Sequence, residues 1–464
     1  MLLKKKRLDL GMMRVIMALA WPTMLEQLMQ TAVQYIDTAM VGSLGTDATA
    51  AVGATTTVGW LIGGMVSAFG VGFLSFIAQA CGANDKAAAS RASAQAVIVT
   101  AVTGVAFTVI TLALSGLVPV WMQVDPDIRA DASMYFFILY LPMLPRAATI
   151  IFGTILRAAG DTKTPMKVGV VVNLINVVLN FLLIYPTRSL TVLGLTFTMP
   201  GADLGVVGAA AASAIAVTVG GVYITLVLWR HPLISPRGGR FRPDWEILRP
   251  TFRVALPNML QRFGTSLGYV AFASMINGLG KVATTAHTIA NTVESAFYIP
   301  GYGMQTAAAT LAGNAYGAKD AGRMERLARM FIPIEIGLMI LSGGLLFVLA
   351  EPLVSLFSDK AEVISLGRTV LQMVAVSEPF YGFSIIVEGM MQGVGRTRQP
   401  FVFNVAGMWL VRIVGTLVCT TFFFRDAASG LIAAWACMIA HNLLLFGLFM
   451  WCYVRGMWNP LKEC

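Results

Sequence analysis

The chain has 464 residues, 57% of them hydrophobic and 12% charged, with a net charge of +10. A soluble domain of that composition would have nowhere to hide its apolar side chains, so the balance excludes a water-soluble enzyme and indicates an all-α polytopic membrane protein. The basic residues cluster between apolar runs, where they set topology rather than form a nucleic-acid surface. The five cysteines, Cys81, Cys419, Cys437, Cys452 and Cys464, are scattered and show no CxxC spacing. They indicate neither a disulfide framework nor a metal site.

A spanning helix takes roughly 20 mostly apolar residues. The basic head "LKKKR" (Leu3–Arg7) leads into an apolar run too long for a signal peptide, so it reads as an uncleaved first span. Twelve spans are expected, near 15–41, 50–78, 92–118, 132–156, 165–186, 205–229, 251–277, 283–311, 328–350, 364–392, 401–424 and 428–454. Alternate connections hold most of the 33 Lys and Arg, whereas "DPDIRAD" (Asp125–Asp131) and "FSDKAE" (Phe357–Glu362) are acidic. This asymmetry puts both termini in the cytoplasm and the chain in an inner or plasma membrane.

At mid-chain, Arg230–Arg253 is the longest polar stretch, rich in proline and arginine. It is expected to join a lobe at 1–229 to a lobe at 251–464, with the linker at 230–250. The two halves repeat. "QACGAND" (Gln79–Asp85) matches "NAYGAKD" (Asn314–Asp320), "RAAGDTKTP" (Arg157–Pro165) matches "QGVGRTRQP" (Gln392–Pro400), and each pair lies 235 positions apart. With an even number of spans per half, the repeats run parallel. They predict two six-helix bundles related by a pseudo-two-fold axis along the membrane normal, with a cleft suited to alternating access.

Polar residues inside the spans mark candidate chemistry. On span 1, Thr23, Gln27, Gln30, Gln34 and Asp37 recur every three or four positions and form one stripe. Such a stripe faces protein or a water-filled cavity, and an intramembrane acid at its end is a candidate ion-binding group. On span 5, Asn173, Asn176 and Asn180 share a face. They can bind a cation with Asp37, hydrogen-bond its protonated form, or simply hold helices together. Ser213 on span 6 is a weaker member of the set. Adding the repeat offset to Asp37, Asn173, Asn176 and Asn180 reaches Phe272, Met408, Val411 and Gly415, so the second half lacks this constellation. It has Glu294, Glu335, Glu378 and Glu388 instead, which either attract a cationic substrate or pair with Arg262 or Arg412.

"DTAMVGSLG" (Asp37–Gly45), "QACGAND", "RAAGDTKTP", "TAHTIANTVESAFYIPGYG" (Thr285–Gly303) and "GVGRTRQP" stand in an order and spacing that resemble the MATE (multidrug and toxic compound extrusion) family over nearly the whole chain. The resemblance implies export of small organic cations against H⁺ or Na⁺, with no other cofactor, no catalytic residue and no nucleic-acid partner. The chain is expected to act in the lipid bilayer as a monomer. Asp37, Asn176 and Asn180 match the family's polar positions on spans 1 and 5, where Na⁺ is a possible occupant, and Ser213 falls where relatives often carry Thr. The acids that NorM-like members carry on spans 7 and 10 are replaced by Thr265 and Tyr381, so the pattern is closer to the DinF-like branch and favours H⁺. Asp37, Asn173, Asn176, Asn180 and Ser213 are then the ion-coupling set. Gln30, Gln34, Thr265, Glu294, Glu378 and Tyr381 are expected to face substrate. The rival readings are a lipid-linked oligosaccharide flippase of the same superfamily, an integral-membrane enzyme and a non-transporting scaffold. A flippase would place Arg146, Arg262 or Arg412 in a basic cavity, and an enzyme would need acidic metal motifs that the sequence lacks.

Overall fold

The computed structural model describes residues 10–122, 124–192 and 195–462. The basic head at residues 4–7 and Cys464 lie outside them. Each expected span has its helix or helix pair. The first half runs through α1 (Leu10–Gly42), α2 (Thr46–Gly82), α3 (Lys86–Leu114), a short α4 (Val118–Trp121), α5 (Arg129–Tyr140) with α6 (Met143–Ala158), α7 (Lys163–Leu183) and α8 (Gly205–Arg230). The second half runs through α9 (Trp245–Asn277), α10 (Lys281–Gly317), α11 (Ala321–Ser355), α12 (Ala361–Ala375) with α13 (Glu378–Gly393), then α14 (Arg398–Ala406), α15 (Val414–Val418) and α16 (Ala427–Val454). Among the described residues, seven continuous helical stretches are long and apolar enough to cross a membrane. The pairs α5–α6 and α12–α13 meet the same test as single spans bent by 50° and 51°.

Both bends sit where proline interrupts the helix, at Pro142 before α6 and Pro379 in the first turn of α13. Proline has no N–H to donate and its ring crowds the preceding turn. The span around Arg412 departs from an ordinary α-helix, with π-helical turns at Gly407–Ile413 and Cys419–Phe423 on either side of α15. Between α7 and α8 a hairpin of β1 (Pro186–Val192) and β2 (Leu195–Ala202) pairs antiparallel, with Arg188 opposite Met199. The sequence reading gave this stretch no element.

The backbone carries the repeat as plainly as the sequence does. Left-handed residues occur in pairs at the same offset of 235: Gly45 and Gly280 (φ 120° and 105°), Asn84 and Lys319 (57° and 54°), and Gly160 and Gly395 (89° and 85°). A lysine in this region is unusual. At Lys319 the turn geometry has outlasted the residue type that favours it.

By packing, the chain divides into two compact units. One comprises Met1–Gln27, Leu74–Asp85 and Phe252–Cys464, the other Leu28–Phe73 and Lys86–Thr251. The sequence halves and the packed units therefore differ, because α1 and α2 each contribute to both. Within the first unit, Thr23 Oγ1 donates to the carbonyl of Gly303 at 3.0 Å and Ser75 Oγ to that of Gly393 at 3.0 Å. Glycine permits these approaches: a Cβ on Gly303 would lie 2.6 Å from the backbone nitrogen of Met24. Close backbone contact through small residues is how helices associate where lipid removes the hydrophobic drive.

The polar stretch after α8 is tied down within the second unit. Gln95 on α3 donates to the carbonyl of Arg242 at 2.8 Å and accepts from the backbone N–H of Asp244 at 3.0 Å. Ser90 Oγ donates to the carbonyl of Ser235. Gly239 lies against Ala94, where a Cβ would come within 2.5 Å. The segment read as a linker is thus clamped along α3.

Candidate functional site

α7 is inside-out relative to a soluble amphipathic helix. Asn176 and Asn180 are buried, while Leu174 and Val178 on the other face are 64% and 48% exposed. The amides seek partners inside the protein and the leucine and valine suit lipid. α8 approaches α7 closely because its facing side is small. A Cβ on Gly208 would fall 2.4 Å from the carbonyl oxygen of Leu183. That approach brings Ser213 to Asn176, with 2.9 Å between Oγ and the amide.

The last turns of α1 bring Asp37 to the same place. Asn180 Nδ2 donates to Asp37 Oδ1 at 2.6 Å. The Asn176 amide is satisfied with its nitrogen towards the carboxylate: Nδ2 donates to Asp37 Oδ1 at 2.8 Å and Oδ1 accepts from Ser213 Oγ at 2.9 Å. Asp37, Asn173, Asn176, Asn180, Ser213 and Gln34 all line one cavity of about 490 Å³. Asn173 Nδ2 is buried there without a hydrogen-bond partner among the described residues.

Other residues expected at a site lie elsewhere. Gln30 is exposed and is not among the residues lining this cavity. The span-1 stripe is divided: Thr23 and Gln27 belong to the first packed unit, and Gln30, Gln34 and Asp37 to the second. Thr265 donates to the carbonyl of Gln261 at 2.8 Å, so its hydroxyl is spent on its own helix. Tyr381 shares a 2.8 Å hydrogen bond with Tyr302 and meets Tyr298 edge-on. Glu294 and Glu378 are buried in the first unit, where Glu378 is within electrostatic reach of Glu294 and Glu335, and Glu294 of Arg412. Among the described residues, neither oxygen of Glu335 has a hydrogen-bond partner. Glu388, by contrast, accepts from Gln261, Gln392 and Asn404 at 2.8, 3.0 and 3.2 Å.

Phe272, the repeat counterpart of Asp37, is a buried ring with the Arg412 guanidinium 4.3 Å from its centre and His287 against its edge. The two halves share a frame, and at this position one has a carboxylate and the other an aromatic platform for a cation.

The sequence reading did not gather the rest of the Asp37 cavity. Trp60 from α2, Tyr135 and Tyr140 from α5 and Arg146 from α6 also line it. Arg146 was visible as one of few basic residues within a span. Nothing in the sequence brought it to Asp37, because the bend between α5 and α6 sets its direction.

Known proteins are similar to this chain over more than nine tenths of their length. The chain is 26% identical to a probable multidrug resistance protein NorM of Thermotoga maritima over 441 residues, 95% of this chain and 92% of that one. It is 26% identical to the probable multidrug resistance protein YoeA of Bacillus subtilis, over 93% of this chain and 92% of the relative. Among solved structures, MATE in complex with MaL6 superposes with a TM-score of 0.87 at 23% identity, over 97% of both chains. The outward-facing form of a multidrug resistance MATE family transporter superposes with a TM-score of 0.86 at 24% identity, over 97% of this chain and 96% of the other. The MatE family model matches twice, at residues 22–182 and 257–418, its two starts separated by the same 235 positions as the internal repeat. The chain belongs to the MatE, or MATE, family.

Proposed function

We propose that the protein is a multidrug antiporter that exports amphipathic organic compounds by alternating access, driven by protons through Asp37. The observation that carries this reading is the carboxylate of Asp37 held by Asn180 and Asn176 in a cavity large enough for an organic molecule. An ionised Asp37 takes donated hydrogen bonds from both asparagines. A protonated Asp37 no longer needs the second, and Asn176 is then free to turn towards Ser213 and Asn180. Proton arrival thus rearranges the wall of the cavity, and substrate and proton oppose one another through their different affinities for the two states.

The same oxygens of Asp37, Asn176 and Asn180 would suit Na⁺, and this is the second reading of the coupling ion. Both termini face the cytoplasm in this proposal, which follows the placement of basic residues between spans. Counterflow in proteoliposomes, with proton and sodium gradients imposed separately, tests the ion. Asp37→Asn tests the residue: at matched expression, drug export equal to wild type would sink the mechanism.

A further inference from the structure

The charges in the cavity differ in how fully they are engaged. Asp37 accepts from both Asn180 and Asn176. Arg146 has five N–H donors, and the side chain places one of them, donating through Nη2 to the carbonyl of Leu139 at 3.2 Å. Its remaining contact is with the face of the Tyr140 ring, 5.5 Å away. Its Nε is buried with no hydrogen-bond partner, and no carboxylate among the described residues forms an ion pair with it. Tyr135 lies within electrostatic reach of both Asp37 and Arg146, so the two charges act on one space.

An arginine is charged at any working pH. A guanidinium inside a span, with donors to spare, is costly unless something else satisfies it. Its planar fork matches a carboxylate or sulfonate in two parallel hydrogen bonds. We propose that Arg146 is the anchor for an anionic group on the transported compound, and that this cavity selects amphipathic zwitterions over simple cations. The carboxylate or sulfonate of the ligand docks on Arg146. Its aromatic body lies against Tyr135, Tyr140 and Trp60, and its cationic end faces Asp37. The inference rests on the proposal that this cavity is the substrate site, and it narrows the cationic class expected from the family pattern. It does not depend on which ion drives transport.

The test is equilibrium binding to purified protein by fluorescence polarisation, with rhodamine B, a zwitterion, and its ethyl ester, a cation in which an ethyl group masks the negative charge. Wild type is expected to prefer the zwitterion. Arg146→Gln should weaken zwitterion binding about tenfold, the scale of one well-placed ionic hydrogen bond, while leaving ester binding unchanged or stronger. Arg146→Lys keeps the charge and should retain part of the preference, which guards against a variant that merely misfolds. Equal loss for both dyes in Arg146→Gln, or a wild type that prefers the ester, would overturn the inference. Neither result touches the coupling role of Asp37, because no gradient is present. Conversely, full export by Asp37→Asn would remove the coupling mechanism and leave the dye preference standing.

Discussion

Asn180 donates to Asp37 across 143 residues of sequence at 2.6 Å, and this contact helps join α7 to the end of α1. A hydrogen bond to an ionised group contributes about 1.5–3 kcal/mol, and removing the donor leaves the carboxylate short of a partner. Asn180→Ala is therefore expected to slow drug efflux by roughly tenfold or more, on the conversion of 1.4 kcal/mol per decade, while the protein still inserts and purifies. Dye efflux from everted vesicles at matched expression checks it, and an unchanged rate would show that the pair is structural only.

Much of this site was legible in the sequence, for physical reasons that can be named. The spacing of Asn173, Asn176 and Asn180 follows from 3.6 residues per turn, and polar groups in a lipid-facing helix have to turn inwards. The fixed repeat offset carried the frame, and the paired left-handed residues at Gly45 and Gly280 reproduce it in the backbone. Three things stayed hidden. The break between α5 and α6 turns Arg146 and Tyr140 into the cavity, and a bend direction is not encoded in hydropathy. The π-helical turn Gly407–Ile413, which contains Arg412, leaves no mark in hydropathy. The docking of residues 235–244 on α3 rests on the side chains of Ser90 and Gln95 and a few backbone groups, in a stretch whose composition reads as loop.

Glu335 is fully buried with neither oxygen partnered, an arrangement that costs stability unless a proton or a cation neutralises it. Replacing it with an apolar side chain of similar length removes that cost. Glu335→Met is expected to raise the thermal midpoint of the detergent-solubilised protein, or at least to leave it unchanged, whereas Glu335→Lys should prevent folding. A marked drop in the midpoint of Glu335→Met would mean that the carboxyl has a stabilising partner.

Gly303 offers a contrast with a glycine that packs against nothing. A methyl at Gly303 would meet the Met24 backbone at 2.6 Å, whereas Gly337 on α11 has nothing within 4 Å. A clash against backbone cannot be relieved by turning a rotamer. Gly303→Ala is expected to lower yield and monodispersity on size-exclusion chromatography. Gly337→Ala should be neutral or stabilise by about 0.5–1 kcal/mol, through the lower entropy of its unfolded chain. Equal behaviour of the two variants would mean that α1 shifts to accommodate the methyl.

The clamp on residues 235–244 begins at His231, just past the end of α8. Its Nδ1 accepts from the backbone N–H groups of Leu233 and Ile234 at 3.2 and 3.4 Å, which only the neutral ring can do. Burial holds the imidazole below its ordinary value of 6.5, against a smaller raising effect from Asp161. Because the folded value is depressed, the stability contributed by the neutral ring is fully present above pH 6.5. It declines as pH falls through that value, since the loosened segment takes up the proton first. Limited proteolysis after Arg237 and Arg240 should therefore accelerate as pH is lowered from neutrality. Dividing each wild-type rate by that of His231→Asn, which keeps an acceptor but does not titrate, cancels the pH dependence of the protease itself. Gln95→Ala should raise cleavage at every pH, because it removes the central hydrogen bonds to Arg242 and Asp244 rather than the titrating one. A flat wild-type ratio across this range would show that His231 does not hold the segment.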